Sequence, residues 1–173
     1  MLRRGALLSL LALAPLASSA PVSAQVMPSP DSNFGVAVNG MASLCPALVG
    51  GGRVPDAAAA APFGLRPISA PAGQHRFESL LRDGHVQVSF EPAAQRCTTN
   101  YAGPGFRAIL GVARDMATGN RFTRVLLDET RPGVRGEVFE RTAGNPARRQ
   151  RYTIGEFTAD QGASVAYSER TIP

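Results

Sequence analysis

The chain has 173 residues, two cysteines, no tryptophan and a formal net charge of +5, and each of its 18 basic side chains is arginine. With no lysine ε-amine available, Schiff-base chemistry, internal pyridoxal aldimines, P-loop phosphate binding and Ser-Lys dyads are excluded. A hydrophobic fraction of 44% and a charged fraction of 18% belong to a globular chain rather than a disordered one. The arginine-only, Ala-, Gly- and Pro-rich usage matches a high-GC bacterial genome.

Residues 1–24 read as a secretory leader, with Arg3 and Arg4 at the start, an apolar run from Gly5 to Ala17, and Val22-Ser23-Ala24 as the small-residue cleavage site. The mature chain is expected to begin at Gln25. The apolar run is shorter than the roughly 20 residues that span a bilayer, and no later segment approaches that length, so no membrane span is expected. No cysteine sits at the cleavage site to carry a lipid, Cys45 lying far downstream. The Arg3-Arg4 pair raises twin-arginine export but lacks the flanking Ser and Phe of such a signal. The chain is expected to be exported, to the periplasm first and the extracellular space second. A lead-in at residues 25–33 and a single domain at 34–173 follow the leader.

Removing a leader with two arginines and no acid lowers the net charge to +3. No dense basic stripe interleaved with aromatics remains, so nucleic acid is set aside as a partner. Two cysteines in an oxidising compartment predict a disulfide between Cys45 and Cys97. Neither has a histidine close in sequence to make it a nucleophile, and two soft ligands are too few for a metal site.

Along the chain, Asp31, Ser32 and Asn33 offer helix N-caps. Phe34, Val38, Met41, Cys45 and Leu48 then form one helical stripe, which Pro46 should kink or end and Gly50-Gly51-Gly52 should terminate. A short helix is predicted over Pro55–Ala61, followed by a Pro/Gly-rich connector over Pro62–Gly73. Asp83-Gly84 between two apolar-rich runs predicts a hairpin with a two-residue turn, pairing Phe77 with Phe90, Ser79 with Val88 and Leu81 with Val86. That alternation buries Phe77, Leu81, Val86, Val88 and Phe90 and leaves Glu78, Leu80, Gln87 and Ser89 on the opposite face. Pairing Glu91 with Arg96 extends the meander and sets Cys97 beside Phe90, Thr99 beside Val88 and Tyr101 beside Val86. Cys45 on a helix stripe and Cys97 on an inward sheet face are what a bond pinning helix to sheet requires.

Gly103-Pro104-Gly105 opens a second amphipathic helix through Phe106, Ile109, Leu110, Ala113 and Met116, stopped at Gly119. A mostly buried strand is predicted at Thr123–Asp128, and further strands at Val134–Arg141, Arg149–Thr158 and Ser164–Thr171. No internal sequence repeat is visible. The expected fold class is α+β: an antiparallel sheet, made of a meander plus C-terminal hairpins, with short helices packed on one face and tied by one disulfide.

His75, placed in the connector, and His85, beside the turn and opposite Arg82, are the only histidines and are kept apart by the hairpin register. Both are read as solvated. Asp128-Glu129 point to opposite faces of a strand, and Glu156 with Glu169 across the last hairpin gives the other carboxylate pair. No nucleophile elbow, zinc-protease helix, dinucleotide loop or calcium loop is present. No catalytic residue, metal or cofactor is assigned.

Two surfaces remain. Arg148, Arg149 and Arg151 are the densest positive cluster and suit carboxylate or phosphate, with a charged strand edge as the plainer reading. The polar sheet face of Glu78, Gln87, Ser89, Thr98 and Asn100 is a candidate recognition surface beside ordinary solvation. The expected function is a small exported, disulfide-tied binding or interaction module of the bacterial envelope, its partner an envelope protein or an anionic envelope component. The alternative is an envelope enzyme using carboxylates and arginine on an anionic substrate.

Overall fold

A computed structural model describes residues 29–81, 85–131, 134–157 and 161–172. The predicted leader and the Asp83-Gly84 turn lie outside these residues. The chain opens with α1 (Asn33–Asn39), capped by the Ser32 hydroxyl, which accepts from the Gly35 amide at 3.1 Å. A π-helical turn (Gly40–Leu44) leads straight into α2 (Cys45–Val49). Pro46 therefore does not end the helix. It falls in the first turn of α2, where no donor is needed, and the wider π turn ahead of it carries the change in winding. A short α3 (Ala57–Ala60) follows, capped by Asp56, whose Oδ1 accepts from the Ala59 amide at 3.0 Å.

Four strands come next: β1 (Leu65–Ile68), β2 (His75–Ser79), β3 (His85–Glu91) and β4 (Arg96–Ala102). The helix α4 (Phe106–Gly119) carries the chain to β5 (Thr123–Arg131), β6 (Val134–Ala143), β7 (Arg148–Phe157) and β8 (Gly162–Thr171). All eight strands form one antiparallel sheet in the order β1-β2-β3-β4-β8-β7-β6-β5. Each half is a helical segment followed by a four-stranded meander, and the last strands of the two meanders, β4 and β8, pair at the centre of the sheet. The fold is thus α+β, with helices on one face. No helix among the described residues is long and apolar enough to cross a membrane.

The core lies between that sheet face and the helices. Val36, Met41, Leu48, Ile109 and Leu110 meet Phe77, Val86, Val88, Phe90, Tyr152, Ile154 and Val165. Gly40 allows a close approach of the helical segment to the sheet, since a Cβ there would stand 3.0 Å from Val88 Cγ2 and 3.1 Å from Thr99 Oγ1. Cys45 and Cys97 are bonded, with Cα atoms 5.1 Å apart, and tie the start of α2 to β4. The expected disulfide is therefore present.

The second turn of the first meander has the predicted register: Glu91 pairs with Arg96, Phe90 with Cys97 and Val88 with Thr99. The first hairpin departs from it by two residues, since Phe77 pairs with Val88 and His75 with Phe90. Its ladder ends at Glu78 and Gln87. Beyond it the Leu80 amide donates to the Gly64 carbonyl at 2.9 Å, and the Ser79 hydroxyl accepts from the Leu81 amide at 3.0 Å. The chain leaves β3 early because β1 and a local turn claim it. A shift of two preserves which side chains share a face, so Phe77, Val86, Val88, Phe90 and Cys97 are buried as expected. Leu81 is only partly buried against them.

Two further elements differ from expectation. The connector contains β1, an edge strand in which Pro67 costs no ladder bond. In turn, β5 is the opposite edge, and Thr123, Arg124 and Val125 of the stretch expected to be buried are exposed, while the side chains of 126–128 lie outside the described residues. Between Arg124 and Leu126 its register shifts, and Val125, the extra residue there, is 52% exposed.

Candidate functional site

Strand alternation gives the sheet two chemically distinct faces. On the face away from the helices, cross-strand registers align the predicted polar residues in two rows. Glu78, Gln87, Asn100 and Ser164 form one, and Arg76, Ser89, Thr98, Ala166 and Thr153 the other. Gln87, Ser89, Thr98 and Asn100 are half-buried within the sheet. Glu78 is engaged by Arg66 across the β1–β2 pair, with Arg66 Nε donating to its Oε1 at 2.9 Å. All five residues of the predicted polar face are thus brought onto one surface.

The arginine cluster is divided. β7 is an interior strand between β6 and β8, so these residues do not charge a sheet edge. Arg148 falls on the helix-bearing side and meets Glu169, whereas Arg149 and Arg151 project from the helix-free face. There Arg151 Nε donates to Glu140 Oε1 at 2.6 Å. Arg149 stands directly opposite Arg170, and Arg151 directly opposite Ser168. Arg149, Arg151, Ser168 and Arg170 line a cleft of about 80 Å³. Arg170 and Ser168 were not singled out from the sequence. The inward alternation of Tyr152 and Ile154 against Val165 and Tyr167 would have placed them, had the last hairpin's register been set.

On the helix side of the same sheet end lies a polar network that the sequence did not reveal. Glu169, only 8% exposed, accepts at Oε1 from the Tyr167 hydroxyl at 2.6 Å and from Gln150 Nε2 at 2.7 Å, and at Oε2 from Arg148 Nη1 at 3.2 Å. Arg141 donates from Nε to Gln150 Oε1 and from Nη1 to the Asn120 carbonyl, both at 2.6 Å, while its guanidinium sits 4.5 Å from the Phe122 ring centroid. Phe122 meets Tyr152 edge-on and Tyr152 meets Tyr167 at a tilt, with centroids 5.0 and 4.9 Å apart. Burial raises the Tyr167 hydroxyl well above the ordinary phenol value, and its bond to Glu169 raises it further. Burial alone would raise Glu169, but the bonds from Tyr167, Arg148 and Gln150 outweigh it and hold the carboxyl below its ordinary value. An open groove of about 430 Å³ runs beside this network, lined by Ala93, Ala94, Gln95, Arg148, Glu169, Arg170 and Thr171. Glu169 is held ionised there, with both oxygens engaged by internal donors.

His75 lies in β2 rather than in a connector, and its ring packs 6.2 Å from that of Phe90. His85 pairs with Ala102 across β3 and β4 and is exposed on the other face, so the two imidazoles share no site; Arg82, its expected hairpin partner, lies outside the described residues. Glu156 and Glu169 do not face each other: Glu156 is opposite Ala163 near the turn, and Glu169 is opposite Gln150 at the far end. Asp128 and Glu129 contribute backbone to β5, and their side chains lie outside the described residues. Among the described residues no three His, Cys, Asp or Glu side chains gather to hold a metal ion. Comparison of the chain with protein-family models, curated proteins and solved structures gives no match.

Proposed function

We propose that the chain is a small exported, disulfide-tied binding module of the bacterial envelope, and that it recognises an anionic envelope component through the helix-free face of its sheet. One observation carries the reading. The face left without helices bears two cross-strand rows made largely of hydrogen-bonding side chains, and the arginine cleft lies on the same face farther along β7 and β8, toward the β7 start and β8 end. Such a surface offers many donors and acceptors over a broad area and suits recognition better than bond making. Catalysis of an anionic substrate at the groove beside Glu169 is less well supported, because that carboxylate already accepts from Tyr167, Gln150 and Arg148.

Side-chain amides make the test direct. Gln87 and Asn100 report the helix-free face, whereas Gln95 and Gln150 report the groove and its network. In nitrogen-resolved NMR of the exported protein titrated with anionic envelope extract, the Gln87 and Asn100 amide pairs are expected to shift. Shifts confined to Gln95 and Gln150 would move the function to the groove, and no shift at any of the four would remove the reading.

A further inference from the structure

Arg149 and Arg170 stand directly opposite each other on adjacent strands, both exposed on the helix-free face. Like charges at opposed positions of an antiparallel pair repel and weaken it. Six other arginines are matched with acids, among them Arg66 with Glu78, Arg114 and Arg124 with Glu137, Arg148 with Glu169 and Arg151 with Glu140, whereas Arg149 and Arg170 are set directly against each other. Among the described residues neither Arg149 nor Arg170 has an acidic partner. On β4, Arg96 is aligned with Ser168 from the other side, adding a further positive charge to the same sheet end.

We propose that the cleft formed by Arg149, Arg170, Arg151 and Ser168 is a binding site for a phosphoryl group. This rests on the reading of the helix-free face as the recognition surface and names the chemistry taken there. Arg149 and Arg170, from two strands, both line the cleft, and the Ser168 hydroxyl supplies another donor on its wall. A tetrahedral oxyanion has enough accepting oxygens to meet both forks and the hydroxyl together, whereas a carboxylate is matched by a single fork. Arg151, already held by Glu140, shapes the wall and adds field rather than a free fork. The cleft, about 80 Å³, admits the phosphoryl group and leaves the molecule that bears it outside, over the polar rows. Binding there neutralises the repulsion that the opposed pair creates in the free protein.

A phospholipid headgroup and a soluble phosphate ester present the same group, so the test has two arms. The exported protein is titrated with inorganic phosphate at constant ionic strength, with chloride as the comparison anion, and separately mixed with phosphatidylglycerol vesicles, with phosphatidylcholine vesicles as control. Saturable phosphate binding without vesicle binding assigns a soluble ligand, and vesicle binding assigns a lipid headgroup. In either case Arg149→Gln with Arg170→Gln should weaken binding about tenfold or more, and Arg53→Gln with Arg121→Gln, the same loss of two charges at exposed positions elsewhere, should not. The double variant should unfold at an equal or higher temperature, since the opposed charges are gone. Arg149→Lys keeps the charge and loses the fork, and should lie between. Binding that follows ionic strength alone, that is unchanged in the double variant, or that is absent from both arms overturns the proposal. If the Gln87 and Asn100 amides still respond to envelope extract in that case, the recognition face stands and only the phosphoryl site falls.

Discussion

Tyr152 is 5% exposed, between Phe122 and Tyr167, and burial pushes its hydroxyl up to about 12 against the opposing pull of Arg141. Burial also raises Tyr101 and Tyr167, the other two tyrosines of the chain. In a protein without lysine, and with both cysteines bonded, the side chains that titrate from about pH 9 to 12 are tyrosines alone. The folded state holds these protons more tightly than the unfolded chain. Their contribution to stability is therefore complete below the ordinary phenol pKa of about 10 and is lost as pH rises toward 12. Glu169 acts in the opposite sense on the acid side: its lowered value gives stability above the ordinary carboxylate range that is lost as pH falls through it. Urea denaturation across the alkaline range should show a flat midpoint to about pH 10 and a decline beyond. Tyr152→Phe should remove roughly 2–3 kcal/mol of that decline by pH 12 and change neutral stability by under about 0.5 kcal/mol. Tyrosinate absorbance, unobscured by tryptophan, is the second check. Folded-state tyrosines that all titrate near the ordinary phenol value would show that the aromatic cluster is open to water.

Within the first meander, face and register separate as physical questions. Phe90 is 4% exposed against the helices, while Gln87 is half-buried on the other side of the same strand. Phe90→Ala should cost about 3–5 kcal/mol, and Gln87→Ala should stay within about 0.5 kcal/mol, both read from denaturant midpoints. Equal damage from the two would mean that the helix-free face is also covered. The alternation of Val86, Val88 and Phe90 made this polarity legible in the sequence, and it survived a two-residue error in pairing because side chains repeat every second residue. The error itself arose from a bond outside the hairpin, the Leu80 amide held by Gly64 beside a strand that Pro67 had hidden. Arg148, Arg149 and Arg151 show the same limit. Local sequence marked their charge, but their division between faces, and the meeting of Arg149 with Arg170, depend on strand registers that span the whole C-terminal half.

At the scale of the molecule, the two helix-and-meander halves meet where β4 pairs with β8, a contact between strands sixty or more residues apart in sequence. No local pattern announces such a seam, because each strand looks the same whichever neighbour it finds. The disulfide sits on it. Cys97 lies in β4 opposite Tyr167 of β8, and Cys45 reaches it from the start of α2, with both sulfurs sealed from solvent among core side chains. The bond closes a loop with a sequence separation of 52, which in the chain-entropy model contributes about 4 kcal/mol by restricting the unfolded chain. A Cys45→Ala, Cys97→Ala protein should therefore unfold at a lower denaturant concentration, by up to that amount, while the sheet and its helix-free face persist in the folded fraction. Burial adds a kinetic expectation for the native protein: a reductant reaches the sulfurs only when the first helical segment lifts from the β4–β8 seam, so reduction should be slow without denaturant and fast near the unfolding midpoint. Rapid reduction under native conditions would mean that the helices ride loosely on the sheet. An unchanged midpoint in the double-alanine protein would mean that core packing alone holds the two halves together.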